Sequence, residues 1–200
     1  MPILFLAAVF LSACTSVPLT TLYKLHKIDP MEADPAQIKV AIRADDRIGI
    51  REGGAKIEVK FEAEDGSLNI DETYLVEIIR NPDMSAELLA GINPGESVTV
   101  LGLTQSDIQR MRAVQSSVAA ISKDDPEGSG SLGVFLDGVC LQSKMPEGTV
   151  LIDIFLQTSD QDGFFVLSRN LDLRKQSMQD GTDLDDWPGC LDEQPQEQNT

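Results

Sequence analysis

The chain has 200 residues, of which 42% are hydrophobic and only 5% aromatic, so we expect a single packed domain with a core of Ile, Leu and Val. Its 33 acidic residues outnumber the 16 basic ones, and the formal net charge is −17. A surface of this charge repels nucleic acid and anionic lipid headgroups, which argues against a nucleic-acid-binding protein.

The N-terminal segment has the pattern of an export signal. Residues 2–11 read PILFLAAVFL, an uncharged apolar run that is much shorter than the roughly 20 residues needed to span a bilayer. Leu11-Ser12-Ala13-Cys14 follows directly and resembles the lipobox of bacterial lipoproteins, in which the cysteine becomes the acylated N-terminus. One departure is that no Lys or Arg precedes the apolar run, where a signal peptide normally carries one.

The resemblance implies cleavage before Cys14 and a membrane anchor made of lipid on that cysteine. Such lipoproteins carry several acyl chains, and about two suffice for stable anchoring. Thr15 rather than Asp follows the cysteine, which in enteric-type bacteria implies transport to the outer membrane. The resemblance therefore predicts a lipid-anchored, periplasm-facing protein of the outer membrane. The alternative is a buried N-terminal strand with an ordinary cysteine.

Acylation of Cys14 would leave Cys140 and Cys190 as an even pair among the three cysteines. In an oxidising compartment such a pair usually forms a disulfide bond. A closed loop of about 50 residues gives roughly 4 kcal/mol of stabilisation in the chain-entropy description. We therefore predict a Cys140–Cys190 disulfide that ties the C-terminal segment to the sheet.

The chain is predicted to divide into four parts. Residues 1–13 are the signal peptide, and residues 14–37 are a lipid-anchored tether that prolines interrupt. Residues 38–175 form a single β-rich domain. Residues 176–200 contain seven acids and no base, which predicts an acidic, solvated tail apart from Trp187 and the bridge at Cys190.

Alternating apolar and polar residues predict the strands of the domain. Ala55–Ala63 is the clearest, because its apolar residues face one way while lysines and glutamates face the other. Asp65-Gly66 marks a turn after it. The other predicted strands are 38–43, 73–80, 98–103, 132–141, 149–158 and 164–169, with a hairpin turn at 159–163.

The hydrophobic period changes at Thr104, which is a predicted N-cap with Asp107 three residues on. Apolar residues then recur at spacings of three and four, at Ile108, Met111, Val114, Val118 and Ile121. This spacing predicts one amphipathic helix over about 104–122, inserted between strands. The fold class is therefore mainly β, either a β-sandwich or a curved antiparallel sheet that carries the helix.

Two motifs that could carry chemistry lie in unsuitable surroundings. Residues 128–133, GSGSLG, match a dinucleotide-binding pattern by letter, but that site needs a strand before it and a helix after it. We predict a polar loop over 124–130 and a flexible loop at the motif. His26, the only histidine, lies in the predicted tether, which argues against a nucleophilic Ser–His or Cys–His pair and against a zinc site.

These patterns favour a non-catalytic binding or assembly module of the cell envelope. It would be held on the membrane by its lipid, contact an envelope protein and need no cofactor. Carboxylates are abundant, so one alternative is a carboxylate-dependent hydrolase of cell-wall or glycan substrates. Another is a calcium-binding envelope protein that uses Asp160, Asp162 or residues 183–186.

Overall fold

The computed structural model of the protein describes residues 32–66, 68–121, 128–145, 147–179 and 181–191. The strands in these ranges are β1 (Lys39–Asp45), β2 (Ile48–Ile50), β3 (Ala55–Ala63), β4 (Asn69–Ile78), β5 (Glu96–Leu103), β6 (Gly128–Leu136), β7 (Val139–Leu141), β8 (Leu151–Gln157) and β9 (Phe165–Asp172). The α-helices are α1 (Ala86–Leu89), α2 (Gln105–Ile121) and α3 (Leu173–Gln179). Short 3-10 turns lie at Pro35–Gln37 and Leu184–Asp186. None of the helices in these ranges is long and apolar enough to cross a membrane.

Seven of the strands form one antiparallel sheet in the order β6-β3-β4-β5-β1-β8-β9. A separate two-stranded sheet pairs β2 with β7. The main hydrophobic core receives side chains from strands spread across the large sheet, among them Ile57 of β3, Leu101 of β5 and Ile152 of β8. The sheet therefore curls around its own core, and the predicted curved antiparallel sheet with one inserted helix is confirmed.

The central strand β1 is buried on both faces of the sheet. Its alternate residues Val40 and Ile42 join the main core, whereas Ala41 lies on the opposite face. That opposite face has a second, smaller apolar cluster, in which Leu88 of α1 packs with Ala41 and Phe155. The connection between β4 and β5 thus covers the outside of the sheet, which explains why β1 tolerates no exposed residue in its centre.

Helix α2 begins at the predicted N-cap. The hydroxyl of Thr104 accepts a hydrogen bond from the Asp107 N–H at 3.2 Å and donates one to the Asp107 carboxylate at 3.0 Å. Asp107 also accepts from the backbone N–H of Leu75 at 2.9 Å, so the first turn of the helix is fixed to β4. Met111 and Val118 bury the apolar face, as their spacing predicted.

The loop predicted at 128–133 was wrong. These residues begin β6, which pairs with β3 without interruption from Gly128↔Ala63 to Leu136↔Ala55. Small residues are useful here because the ring of Phe135 folds back over Gly133, where a Cβ atom would lie 2.8 Å from the ring. Composition indicated a loop, but the pairing with a strongly alternating neighbour makes this segment a strand.

The single strand predicted over 132–141 is divided in two by Asp137 and Gly138. The backbone of Gly138 crosses that of Gly54 so closely that a Cβ on Gly138 would lie 2.3 Å from the Gly54 Cα. The N–H of Gly138 donates to the Gly54 carbonyl at 2.8 Å. This crossing redirects the chain from the large sheet into the small one, and glycine is required because it has no side chain.

The segments on either side of the sheet pack onto it. At the N-terminal end, Pro35 is buried and Asp34 pairs with Arg112 of α2 at 2.8 Å. At the C-terminal end, Leu184 is fully buried, although it lies in the region predicted as a solvated tail. The described residues from 181 to Cys190 are therefore tied to the packed body of the protein by Leu184 and the disulfide bond, while 192–200 lie outside the described residues.

Candidate functional site

The two edge strands of the large sheet line the same cavity. The cavity has a volume of about 340 Å³ and lies between the end of β6 on one side and β8, β9 and α3 on the other. The curl of the sheet brings these edges toward each other, and no pairing joins β6 to β9 in the described part of the chain. Its apolar walls include Val134, Leu136, Ile152, Ile154, Leu171 and Trp187. We call this cavity the cleft.

The strand register explains why the cleft is apolar. Val134 is the register partner of Ile57 and Leu136 that of Ala55, and both partners are buried in the core. Side chains of paired residues lie on the same face of a sheet, so the β6 residues also point inward. Leu171 is paired with the buried Ile152 in the same way. The cleft is thus an opening in the core between two strand edges.

Few polar groups face the cleft, and none of its lining residues is basic. Asp137 is its one carboxylate, and it accepts a hydrogen bond from Lys56 at 2.7 Å. The hydroxyls of Ser177 and Thr182 donate to the backbone carbonyls of Arg174 and Ser177, each at 3.1 Å. An apolar cavity of this size with few polar groups is typical of a binding site for an apolar ligand or segment, and its single carboxylate is already paired with Lys56.

Strand β6 leaves one of its sides unpaired. It is bonded to β3 over nine residues, and within the described ranges no second strand is paired with it. The strand contains no charged residue and no proline, and its register with β3 is unbroken. Phe135, 46% exposed, lies on the outer face of the strand and also lines the cleft. The free side of β6 and the cleft therefore form one continuous surface.

The predicted disulfide forms beside this surface. Cys140 of β7 and Cys190 are joined, with their Cα atoms 4.9 Å apart. A Cβ on Gly49 of the paired strand would lie 2.7 Å from the Cys190 sulfur, so glycine provides the space that the bridge occupies. The Leu141 N–H also donates to the Pro188 carbonyl at 2.9 Å. The bridge and this bond fix the segment that carries Trp187 into the wall of the cleft.

Other residues predicted to be functional lie elsewhere. Cys14 and His26 fall within residues 1–31, outside the described part of the chain. Asp160 accepts hydrogen bonds from Lys39 at 2.9 Å and Gln157 at 2.8 Å, and Asp183 caps the 3-10 turn that follows it. Among the residues that the structure describes, no group of three or more His, Cys, Asp or Glu side chains is placed to hold a metal ion. Calcium binding by the predicted acids stays a prediction.

A buried ion pair lies on the outer face of the sheet, and the sequence analysis missed it. Arg43 and Asp153 are register partners on β1 and β8, only 6% and 8% exposed, and their side chains form a salt bridge. Arg43 also donates to the Ala90 carbonyl at 2.6 Å, beyond the end of α1. Asp153 accepts from the Asn170 N–H at 2.8 Å, where β8 and β9 shift register. The pair fixes the β4–β5 connection to the sheet.

A polar depression lies at the other end of β3 and β4. It has a volume of about 480 Å³, and its lining includes Glu62, Asp71 and Lys60. Lys60 lies 3.3 Å from Glu58 and 3.5 Å from Asp71. The hydrogen bond to Glu58 and the negative charge of Asp71 raise the pKa of Lys60. The lining of the depression therefore includes two carboxylates, Glu62 and Asp71, of which Asp71 is paired with Lys60.

The chain matches no model of a known protein family, and no curated protein or solved structure is significantly similar to it. The cleft, the free side of β6 and the N-terminal sequence are thus the features from which a function can be inferred.

Proposed function

We propose that this chain is a lipid-anchored, non-catalytic binding module of the bacterial cell envelope, and that it holds an envelope protein at the cleft. The observation that carries the binding function is the cleft itself, an apolar opening between two sheet edges, beside which β6 has no strand partner on its outer side in the described part of the chain. Exposed apolar surface of this kind is typical of interaction sites, because leaving it in water costs free energy.

The proposed location rests on the N-terminal sequence. The apolar run at 2–11 and Leu11-Ser12-Ala13-Cys14 resemble a lipoprotein signal, and acylated Cys14 would attach the protein to the outer membrane on its periplasmic side. The disulfide between Cys140 and Cys190 is consistent with this location, because such bonds persist in oxidising compartments. An acidic body of net charge −17 would stand away from anionic headgroups while the lipid holds it.

The anchor is tested by intact-mass measurement of the full chain produced in a Gram-negative host with its own N-terminus. The expected product lacks residues 1–13, carries acyl chains on Cys14 and sediments with the membranes. The Cys14→Ser variant is the matched control and should leave the membrane fraction. Native protein that retains residues 1–13 with an unmodified thiol at position 14 would contradict the proposed anchor.

A second candidate function is a carboxylate-dependent hydrolase of cell-wall or glycan substrates. The polar depression supports it, because Glu62 and Asp71 both line one open cavity on the surface. Release of reducing ends from purified cell-wall glycan by the wild-type protein, and its loss in Glu62→Gln and Asp71→Asn, would establish this activity. No release by the wild-type protein would reject it.

A further inference from the structure

We propose that the free side of β6 binds an extended segment of its partner as an added β-strand, with apolar side chains that enter the cleft and basic residues on its flanks. This inference deepens the proposed function by naming the chemistry of the partner. It rests on the proposed function for its location in the envelope, whereas the binding reaction itself can be measured without the anchor.

The backbone geometry shows which groups of β6 are available. Ala63 donates its N–H to the Leu68 carbonyl at 2.9 Å, so Ala63 and every second residue before it use their backbone groups on β4. The even-numbered residues from Lys56 to Glu62 lie between them and therefore direct their backbone groups toward β6. Their register partners are Ser129, Ser131, Gly133 and Phe135. It follows that the alternate residues Gly130, Leu132, Val134 and Leu136 direct their N–H and C=O groups away from β3.

Most edge strands carry features that prevent further pairing, such as charges, prolines, bulges or a very short length. Strand β6 has none of these over Gly128–Leu136. Its outward N–H and C=O groups recur at every second residue, which is the spacing that another extended chain presents. Addition of a strand satisfies these groups by main-chain bonds, while alternate side chains provide specificity.

The cleft determines which side chains such a strand would carry. Residues that direct their backbone groups outward, such as Val134 and Leu136, are the same ones whose side chains line the cleft. Alternate residues of an added strand would lie on this inner face, where Leu171 and Trp187 form the opposite wall. Apolar residues are therefore required at every second position, and the intervening ones face water.

Charge selects between possible partners. A second copy of this chain would bring another net charge of −17 to the same surface, and the two copies would repel each other. Asp137, the one charged residue in the lining of the cleft, is already paired with Lys56 at 2.7 Å, so the preference for a basic partner comes from the net charge of the whole chain. A segment flanked by Lys or Arg is therefore favoured over a homodimer, and its association should weaken as salt is added.

The test uses the folded, disulfide-bonded protein and a synthetic peptide of alternating valine and threonine with two lysines at each end. Hydrogen exchange is followed by NMR at individual amides with and without the peptide. Amides of Leu132 and Val134 should exchange freely in the protein alone and slow by about tenfold or more in the complex. Amides of Ser131 and Gly133, already bonded to β3, should change little.

Two peptide controls separate strand addition from simple apolar adhesion. A peptide N-methylated at alternate residues keeps its side chains but loses donors, and should bind about tenfold or more weakly. A peptide with glutamates in place of the lysines should bind more weakly at low salt, with the difference removed at high salt. Equal binding by the N-methylated peptide would overturn the proposal.

A matched pair of variants tests the protein side. Val134→Pro removes one outward N–H, whereas Val134→Ala shortens the same side chain and keeps that N–H. Binding should fall by about tenfold or more in the proline variant relative to the alanine variant. If the proline variant fails to fold, the exchange measurement on the wild-type protein decides alone.

Three results would overturn the inference. One is protection of Leu132 and Val134 in the protein alone, since another part of this chain would then occupy the edge. Another is a homodimer that protects the same amides, because a second copy would replace the basic partner. The third is no binding of the lysine-flanked peptide. Each leaves the lipid on Cys14 unaffected, so the proposed anchor is judged separately by intact mass.

Discussion

Separating the buried pair Arg43–Asp153 should destabilise the protein more than any surface substitution. Arg43→Met would leave the Asp153 carboxylate buried, with the Asn170 N–H at 2.8 Å and Arg169 at 3.7 Å as remaining partners. Removal of one partner of a buried pair costs about 3–5 kcal/mol. Because Arg169 is half exposed and compensates only partly, we expect about 3 kcal/mol for Arg43→Met and about 4 kcal/mol for Asp153→Leu.

The double variant provides the decisive comparison. With both charges removed, neither is left buried and unpaired, so the free energy of unfolding should be no lower than in the worse single variant. Urea denaturation of the four proteins gives these free energies, and a loss of about 3 kcal/mol corresponds to a midpoint temperature lower by about 6–12 °C. Single losses below about 1 kcal/mol, or losses that add in the double variant, would refute the assigned role.

Three further predictions concern the bridge and the core. Replacing both Cys140 and Cys190 by serine should lower the free energy of unfolding by about 4 kcal/mol, which urea denaturation measures; an unchanged midpoint would contradict this. Gly49→Val places a side chain where a Cβ would lie 2.7 Å from the Cys190 sulfur, so a thiol assay should detect two more free cysteines than in the wild-type protein, and an equal number would contradict this. Burial and the nearby acids raise the pKa of Tyr74 to about 12, above its ordinary 10.0. The neutral phenol therefore stabilises the folded state at a pH below 10, and this contribution to the free energy of unfolding is lost as the pH rises through 12. Ultraviolet absorbance is titrated with pH for the wild type and for Tyr74→Phe, and the difference between the two curves gives the ionisation of Tyr74. A midpoint of that difference near pH 10 would refute the burial argument.

Local periodicity in the sequence predicted much of the fold. Strand β3 has the predicted bounds Ala55–Ala63, because a strand buried on one face must alternate. Helix α2 begins after Thr104 as predicted, since an N-cap and a spacing of three and four are both local signals. The Cys140–Cys190 pairing followed from the number of cysteines and the expected compartment.

The candidate site could not be predicted in the same way, because long-range pairing creates it. Strand β6 consists largely of glycine, serine and leucine, and only its partner β3 makes it a strand. The cleft needs the edges near Val134 and Leu171 to meet across the curled sheet, which neither sequence segment indicates alone. The buried pair did leave one local signal, Asp153 within an apolar strand, but its partner followed only from the register of β1 and β8.

The most direct test of the central claim is site-specific photo-crosslinking in cells that produce the full chain. A photoreactive phenylalanine analogue is placed at Phe135, beside the cleft, or at Leu89 on α1; both native residues are 46% exposed. We predict a defined adduct with an envelope protein from position 135, absent from position 89 and lost when Cys14→Ser releases the chain from the membrane. Equal adducts from both positions, or none from position 135, would contradict binding at the cleft.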